Sequence, residues 1–410
     1  MKNVFTTPVA QGITRRAGLL TLLGSALALA GCGGGGDVAG ISSGGTGSFS
    51  VGPITGIGSI IVNGVRFDDS GDVVRDEDGV SRDRSGLKLG MMVTVSGSAV
   101  TRSTVTGDRA TATSIVFGGE LQGRIEGIPN TALKTFLVLG QTVKVTASTV
   151  FDVSLTNGFN SLANDTIVEV HGMLDPATNT LTATFIEKKN SPPALFKIQG
   201  RASNHDAIAK KFNIGATRIN YSTTPAAEVR VIPTDGTLVR VRLTAVQPPL
   251  AAPVEWTATR IRPPENANED RDEAEIEGSI TAFTSDTQFS VNGIAVNATS
   301  ARFDDGPVAP GMRVEVKGRL SAGVLIAERV KIEDDNEVNN LECELHGTVS
   351  NVTLTSFTLT SSGGVAVNVS YTSALLISNL QNGAKVEVRG TVLNASGAST
   401  IIVATRITFE

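Results

Sequence analysis

The chain has 410 residues, 40% hydrophobic and 18% charged, with 35 basic and 40 acidic side chains for a formal net charge of -5. That length fits roughly two to four domains, and the low charged share argues against long helices or coiled coils. An acidic total with one Trp, two Tyr, two Cys and three His argues against nucleic acid as a partner, excludes a disulfide framework, and leads to the expectation of no metal and no cofactor.

Residues 1–31 read as an export signal. Lys2, Arg15 and Arg16 form a basic start with no acid before Asp37, and an apolar run from Leu19 to Ala30 follows. The run is shorter than the ~20 residues that cross a bilayer, which favours a cleaved signal over a membrane anchor. Residues 32–50 are Gly/Ser-rich and read as a flexible tether. The junction Leu29-Ala30-Gly31-Cys32 resembles the lipobox of bacterial lipoproteins. That resemblance implies that Cys32 becomes the first mature residue and carries several acyl chains, enough for stable anchoring. It also implies a lipid-anchored place in the cell envelope and, with Gly33 where an inner-membrane retention signal would have Asp, the outer membrane. Thr14-Arg15-Arg16 resembles a twin-arginine signal, but Gly18 stands where a bulky residue is usual, so Sec and Tat export both stay open.

The rest of the chain compares with itself. Five stretches share three features in order. First comes a Gly before an apolar alternation, at Gly58, Gly123, Gly200, Gly278 and Gly347. A block of fixed length follows, running Gly90 to Gly97, Asp165 to Gly172, Gly236 to Leu243, Gly311 to Gly318 and Gly383 to Gly390. A closing strand ends each stretch, as in Ala183-Thr184-Phe185-Ile186 and Ala327-Glu328-Arg329-Val330. Within the block, Val alternates with Glu, Arg or Thr, the mark of a half-buried strand, and the final Gly suits a bulge. Asn63-Gly64 and Asn292-Gly293 stand between alternating runs and signal tight hairpins. Closing such a sheet removes its edges.

The expected fold is therefore all-β: five tandem small OB-like β-barrel repeats of five or six strands, over 51–118, 119–190, 191–264, 275–334 and 341–410. Residues 265–274 and 335–340 read as acidic or polar linkers. The chain is similar to tandem-repeat bacterial lipoproteins that carry a domain of unknown function. The lipobox, the stretch Gly56 to Asp68 and Leu87-Lys88-Leu89-Gly90 carry that similarity, while the third repeat departs most, with Leu243 in place of the strand-ending Gly. The similarity implies a fold and a location, and no site residues.

Charge is uneven along the array. Residues 195–264 hold ten basic and four acidic side chains, and 265–344 hold seven and eighteen. Arg240 and Arg242 alternate with Val239 and Val241, and Arg260 and Arg262 flank Ile261, so neighbouring strands would place four guanidiniums on one outward face. Such a face suits phosphates or uronates of an envelope glycan, but charge runs are mostly surface, which favours a solvated face or pairing with the adjacent acidic linker.

Other chemistry is thin. His171, His205 and His346 lie in different repeats, with His171 and His346 at outward positions by strand alternation, and Cys343 alternates inward with leucines. Asp68 to Asp72 and Asp76 to Gly79 faintly resemble calcium loops, yet no Glu stands where an EF-hand needs its twelfth-position ligand. No nucleophile elbow, phosphate loop or singled-out carboxylate pair is present. The expectation is a non-enzymatic envelope lipoprotein, a multivalent binding or scaffold array with an envelope glycan or protein as partner. The alternative is a module binding an oligosaccharide or other polyanion through Arg240, Arg242, Arg260 and Arg262. A hydrolase ranks last.

Overall fold

The computed structural model describes residues 47–71, 73–104, 107–246, 254–264, 269–333, 342–362, 364–371, 380–393 and 401–410. Cys32, the tether up to residue 46 and much of both acidic linkers lie outside them. The protein is all-β, about 60% strand, and built of five-stranded barrels.

The first unit contains β1 (Ser48–Ile57), β2 (Ile60–Val62), β3 (Val65–Asp68), a short β4 (Val74–Asp76), β5 (Met92–Gly97) and β6 (Asp108–Phe117). Here β1 pairs antiparallel with β2 and β5, and β2 with β3. β3 runs parallel to β6, and β6 pairs antiparallel with β5. The second unit holds β7 (Leu121–Asn130), β8 (Thr135–Val138), β9 (Gln141–Phe151), β10 (Ile167–Asp175) and β11 (Thr180–Lys188). The third holds β12 (Leu195–Asp206), β13 (Lys211–Ile214), β14 (Thr217–Asn220), β15 (Leu238–Thr244) and β16 (Glu255–Arg262). The fourth holds β17 (Arg271–Ser285), β18 (Gln288–Val291), β19 (Ile294–Asn297), a short β20 (Arg302–Phe303), β21 (Arg313–Ser321) and β22 (Val324–Glu333). The fifth holds β23 (Glu342–Ser350), β24 (Ser356–Thr360), β25 (Ala366–Ser370), β26 (Lys385–Leu393) and β27 (Ile401–Phe409). In each of these the first strand again pairs with the second and fourth, and the third runs parallel to the last.

Local chemistry accounts for the shared path. The residue that opens the fourth main strand's turn has a left-handed backbone in every unit: Gly90, Asp165, Gly236, Gly311 and Gly383, with φ between 65° and 90°. Six or seven residues later the ladder to the last strand slips by one, at Ser96/Gly97, His171/Gly172, Arg242/Leu243, Lys317/Gly318 and Arg389/Gly390. At this bulge the partner backbone comes so close that a Cβ on Gly318 would stand 2.1 Å from the Ile326 carbonyl oxygen, and one on Gly172 2.3 Å from that of Thr182. The third unit keeps the bulge without the Gly, and Leu243 is buried in its core.

The ladders correct one alignment drawn from sequence. Gly123, Gly200, Gly278 and Gly347 sit opposite Val168, Val239, Val314 and Val386, and in the first unit the residue opposite the matching Val93 is Gly52, not Gly58. Ser48 to Ser50, placed by sequence in the tether, are buried parts of β1.

β1 also joins units. Ser48–Val51 pairs parallel with Glu273–Ile276 of β17, and Gly56–Ile57 with Glu344–Leu345 of β23. The Asn63 side chain, at a left-handed turn position, donates to the Val51 and Glu275 carbonyls. The apolar core is correspondingly shared: one cluster spans the first and fifth units, another the second and third, and Phe49 and Val51 of β1 pack into the core of the fourth.

Gly318→Ala should lower stability by roughly 2–4 kcal/mol in urea unfolding, because backbone rather than a movable side chain occupies the space. A change near zero would show that the bulge relaxes freely.

Candidate functional site

The four arginines singled out in the sequence do gather. β15 and β16 are neighbours in which Arg240 lies opposite Arg262 and Arg242 opposite Arg260. Like charges set directly opposite repel unless something neutralises them. Among the described residues, Glu77 and Asp78 of the first unit do much of this. After β4 the chain turns through Glu77 and Asp78 with Asp76 as its anchor: Asp76 accepts the Asp78 and Val80 N–H groups and holds Arg82. The turn thereby projects Glu77 and Asp78 onto the arginine face.

Glu77 Oε1 lies 2.8 Å from Arg242 and 2.7 Å from Lys197, and its Oε2 lies 3.1 Å from Arg240. Asp78 lies 2.7 Å from Arg242 and 2.8 Å from both Arg260 and Arg262. Arg260 also pairs with Glu228, and Arg262 donates to the Glu77 carbonyl at 3.0 Å. Burial alone would push the Glu77 carboxyl up, but Lys197, Arg240 and Arg242 hold it below the usual range. Burial lowers and Glu169 and Glu77 raise Lys197, with the pair of acids prevailing. Charge-paired groups of this kind are worth little at a surface and more once sequestered, where losing one partner strands the other.

Behind the clamp, Lys197 and Lys189 lie 2.7 and 2.5 Å from Glu169. His171, two residues on, points out of its own barrel as the alternation places it, yet it is buried rather than solvated. Its ring meets Phe185 edge-on at 5.7 Å, and Nδ1 has no hydrogen-bond partner. Burial pushes its pKa down to about 4, against the pull of Glu169. Glu120 accepts the Gly172 N–H at 2.9 Å, and burial pushes it up to about 8 despite Arg240. Beside these groups opens a cleft of about 420 Å³, walled by the arginine face, Lys197, Glu77 and Glu120.

The remaining sequence candidates fall elsewhere. His205 Nε2 meets the Tyr221 hydroxyl at 2.7 Å. Cys343 is buried with Sγ 3.5 Å from the Gly390 carbonyl, as its alternation predicts. Asp68 accepts the Ser70 N–H and Asp69 faces Arg84 at 3.7 Å, so these acids serve the turn; Asp72 is outside the described residues. A grouping that sequence reading missed is Glu344, His346 and Glu387, whose ligand atoms lie within 4.8 Å of one another. Glu344 precedes His346 by two on β23, and Glu387 stands opposite His346 across the ladder to β26. The signal was the Glu-Leu-His alternation, which places both on one face. Arg66 and Arg389 already occupy Glu344.

Three stretches, 122–187, 277–331 and 346–408, match the family model described as Domain of unknown function (DUF5666); they fall in the second, fourth and fifth units. No curated protein matches the chain. Among solved structures, drosophila Unr CSD456 is similar at 13% identity over 54% of this chain and 92% of that one, with a TM-score of 0.14.

The buried titratable groups set opposite pH trends. An unfolded His takes up a proton near 6.5 and His171 resists until about 4, so the unfolded state binds more protons between them. Stability should fall by about 3 kcal/mol as pH drops through that window. Urea titrations of His171→Phe at pH 7 and 4.5 should lose this slope; an unchanged slope refutes the assignment. Glu120 works the other way: the unfolded carboxyl ionises from about 4.5 and the folded one near 8. Its folded state is thus disfavoured as pH rises through that range, and Glu120→Gln should gain stability relative to the parent between pH 5 and 8.

Proposed function

We propose that the protein is a non-enzymatic lipoprotein of the bacterial cell envelope, tied to the outer membrane through lipid on Cys32. In this reading its five units are copies of one OB-like barrel and act together as a scaffold that presents several surfaces to an envelope glycan or protein. The observation that carries the scaffold is β1, which pairs with strands of the first, fourth and fifth units at once. Units locked this way hold their outer loops at fixed spacing, and fixed spacing lets weak contacts add through a high effective concentration. The recurring pairing order, with a third strand parallel to the last, supports the OB-like reading.

A second reading, a polyanion-binding module that uses Arg240, Arg242, Arg260 and Arg262, is favoured by the cleft beside them. Glu77 and Asp78 take up much of the arginines' charge, which supports a joining role for the face and leaves the cleft as the place for a ligand.

The anchor is tested by metabolic labelling with a palmitate analogue in a bacterial host. The full chain should label and sediment with membranes, and Cys32→Ser should lose label and partition to the soluble fraction. Label retained by Cys32→Ser sinks the lipoprotein assignment.

A further inference from the structure

One outer face of the fifth unit gathers side chains of metal-ligating type. Cys343 and Leu345 of β23 and Val386 and Val388 of β26 are core residues, so the alternate positions Glu344, His346, Glu387 and Arg389 share the other face. In the ladder His346 lies opposite Glu387 and Glu344 opposite Arg389, which sets the four in a square. One ligand atom from each of Glu344, His346 and Glu387 lies within 4.8 Å of the others. Glu410, after β27, meets the His346 ring from its other side.

Both ring nitrogens of His346 face carboxylate oxygens: Nε2 lies 3.0 Å from Glu344 Oε1, and Nδ1 pairs with Glu410 Oε1. A neutral imidazole carries one N–H and one lone pair, so one of these contacts sets a lone pair against an acceptor. A cation held by Nε2 together with Glu344 and Glu387 removes that conflict and leaves the Nδ1–H for Glu410. An outer carboxylate placed in this way fixes the tautomer of a metal-bound His and strengthens it as a ligand. The spacing agrees. Two ligands each ~2.1 Å from an ion stand about 3.0 Å apart at a right angle and about 3.4 Å apart in a tetrahedron.

We propose that Glu344, His346 and Glu387 bind a zinc ion, with Glu410 as the outer carboxylate. One imidazole with two carboxylates suits zinc better than calcium, which takes oxygen ligands alone. Three protein ligands leave a position for water or a further ligand. His346 and Glu410 line a cleft of about 560 Å³ that gives access to it. Arginines frame the site: Arg389 lies 3.1 Å from Glu344 Oε2 and 2.8 Å from Glu387 Oε1, and Arg66 of the first unit pairs with Glu344 Oε1. A carboxylate has about four lone-pair sites, so these guanidiniums orient the acids while sharing them with the ion. Their positive charge opposes the ion, which sets the expected affinity at micromolar rather than nanomolar. Metal was not expected from the sequence because the ligands gather across a ladder rather than along the chain. The site depends neither on the lipid anchor nor on the arginine face of the third unit.

Equilibrium dialysis of the full chain in detergent against zinc tests the site, with calcium as a parallel probe and cobalt(II) as a spectroscopic one. The parent should retain a zinc ion that calcium does not displace, and bound cobalt should absorb in the visible differently from the aqueous ion. His346→Gln and Glu387→Gln should each weaken zinc retention about tenfold or more, and Glu410→Gln should weaken it less while the cobalt spectrum keeps its form. His205→Gln, in the third unit, should leave retention unchanged. Urea midpoints taken without metal show that each variant is folded; added zinc should raise the midpoint of the parent and of His205→Gln but not of His346→Gln. No zinc retained by the parent overturns the site and leaves a second ring proton as the group that serves both carboxylates. Zinc retained equally by His346→Gln and Glu387→Gln also overturns it, as does calcium that displaces zinc, which would mark an acidic cluster alone.

Discussion

The arrangement of this protein depends on one buried strand. β1 offers its backbone to β5 and β2 within its own unit, then to β17 at one end and β23 at the other. A backbone group buried without a hydrogen bond is costly, so each of these ladders satisfies donors and acceptors that the first unit would otherwise leave open. Units that could have hung as separate beads are therefore parts of one packed body, and their cores merge across the joints. Barrels of this size bury too little apolar surface to be very stable alone, which makes sharing the core the economical arrangement.

Charge follows from that packing. In an isolated barrel, a side chain that points away from the core points to water. Here the outer faces of the first, second and third units meet, so Glu169, His171 and Lys197 point out of their own barrels into a junction with little water. Low polarity there raises the cost of any unpaired charge and the strength of each pair. The result is a mesh in which Glu77 and Asp78 bridge five cations, while His171 and Glu120 relinquish their charges near neutral pH. The same physics makes the junction sensitive to pH.

The amino-acid sequence by itself determined the local events: the turn glycines, the Val alternation, the strand-ending bulge, the Asn-Gly hairpins and the inward Cys343. Each depends on residues close along the chain, where steric and period-two rules act. It also determined that Arg240, Arg242, Arg260 and Arg262 share a face, because those strands are sequential neighbours. Only the tertiary structure decided what that face meets. Glu77 and Arg242 are 165 positions apart, and no periodicity links them. The same holds for β1, whose Ser-Phe-Ser start resembles tether in composition and becomes a buried strand because ladders from β17 and β5 receive it. The burial of His171 has the same physical reason: alternation fixes which side of a strand a residue takes, and only packing decides whether water or another barrel lies there.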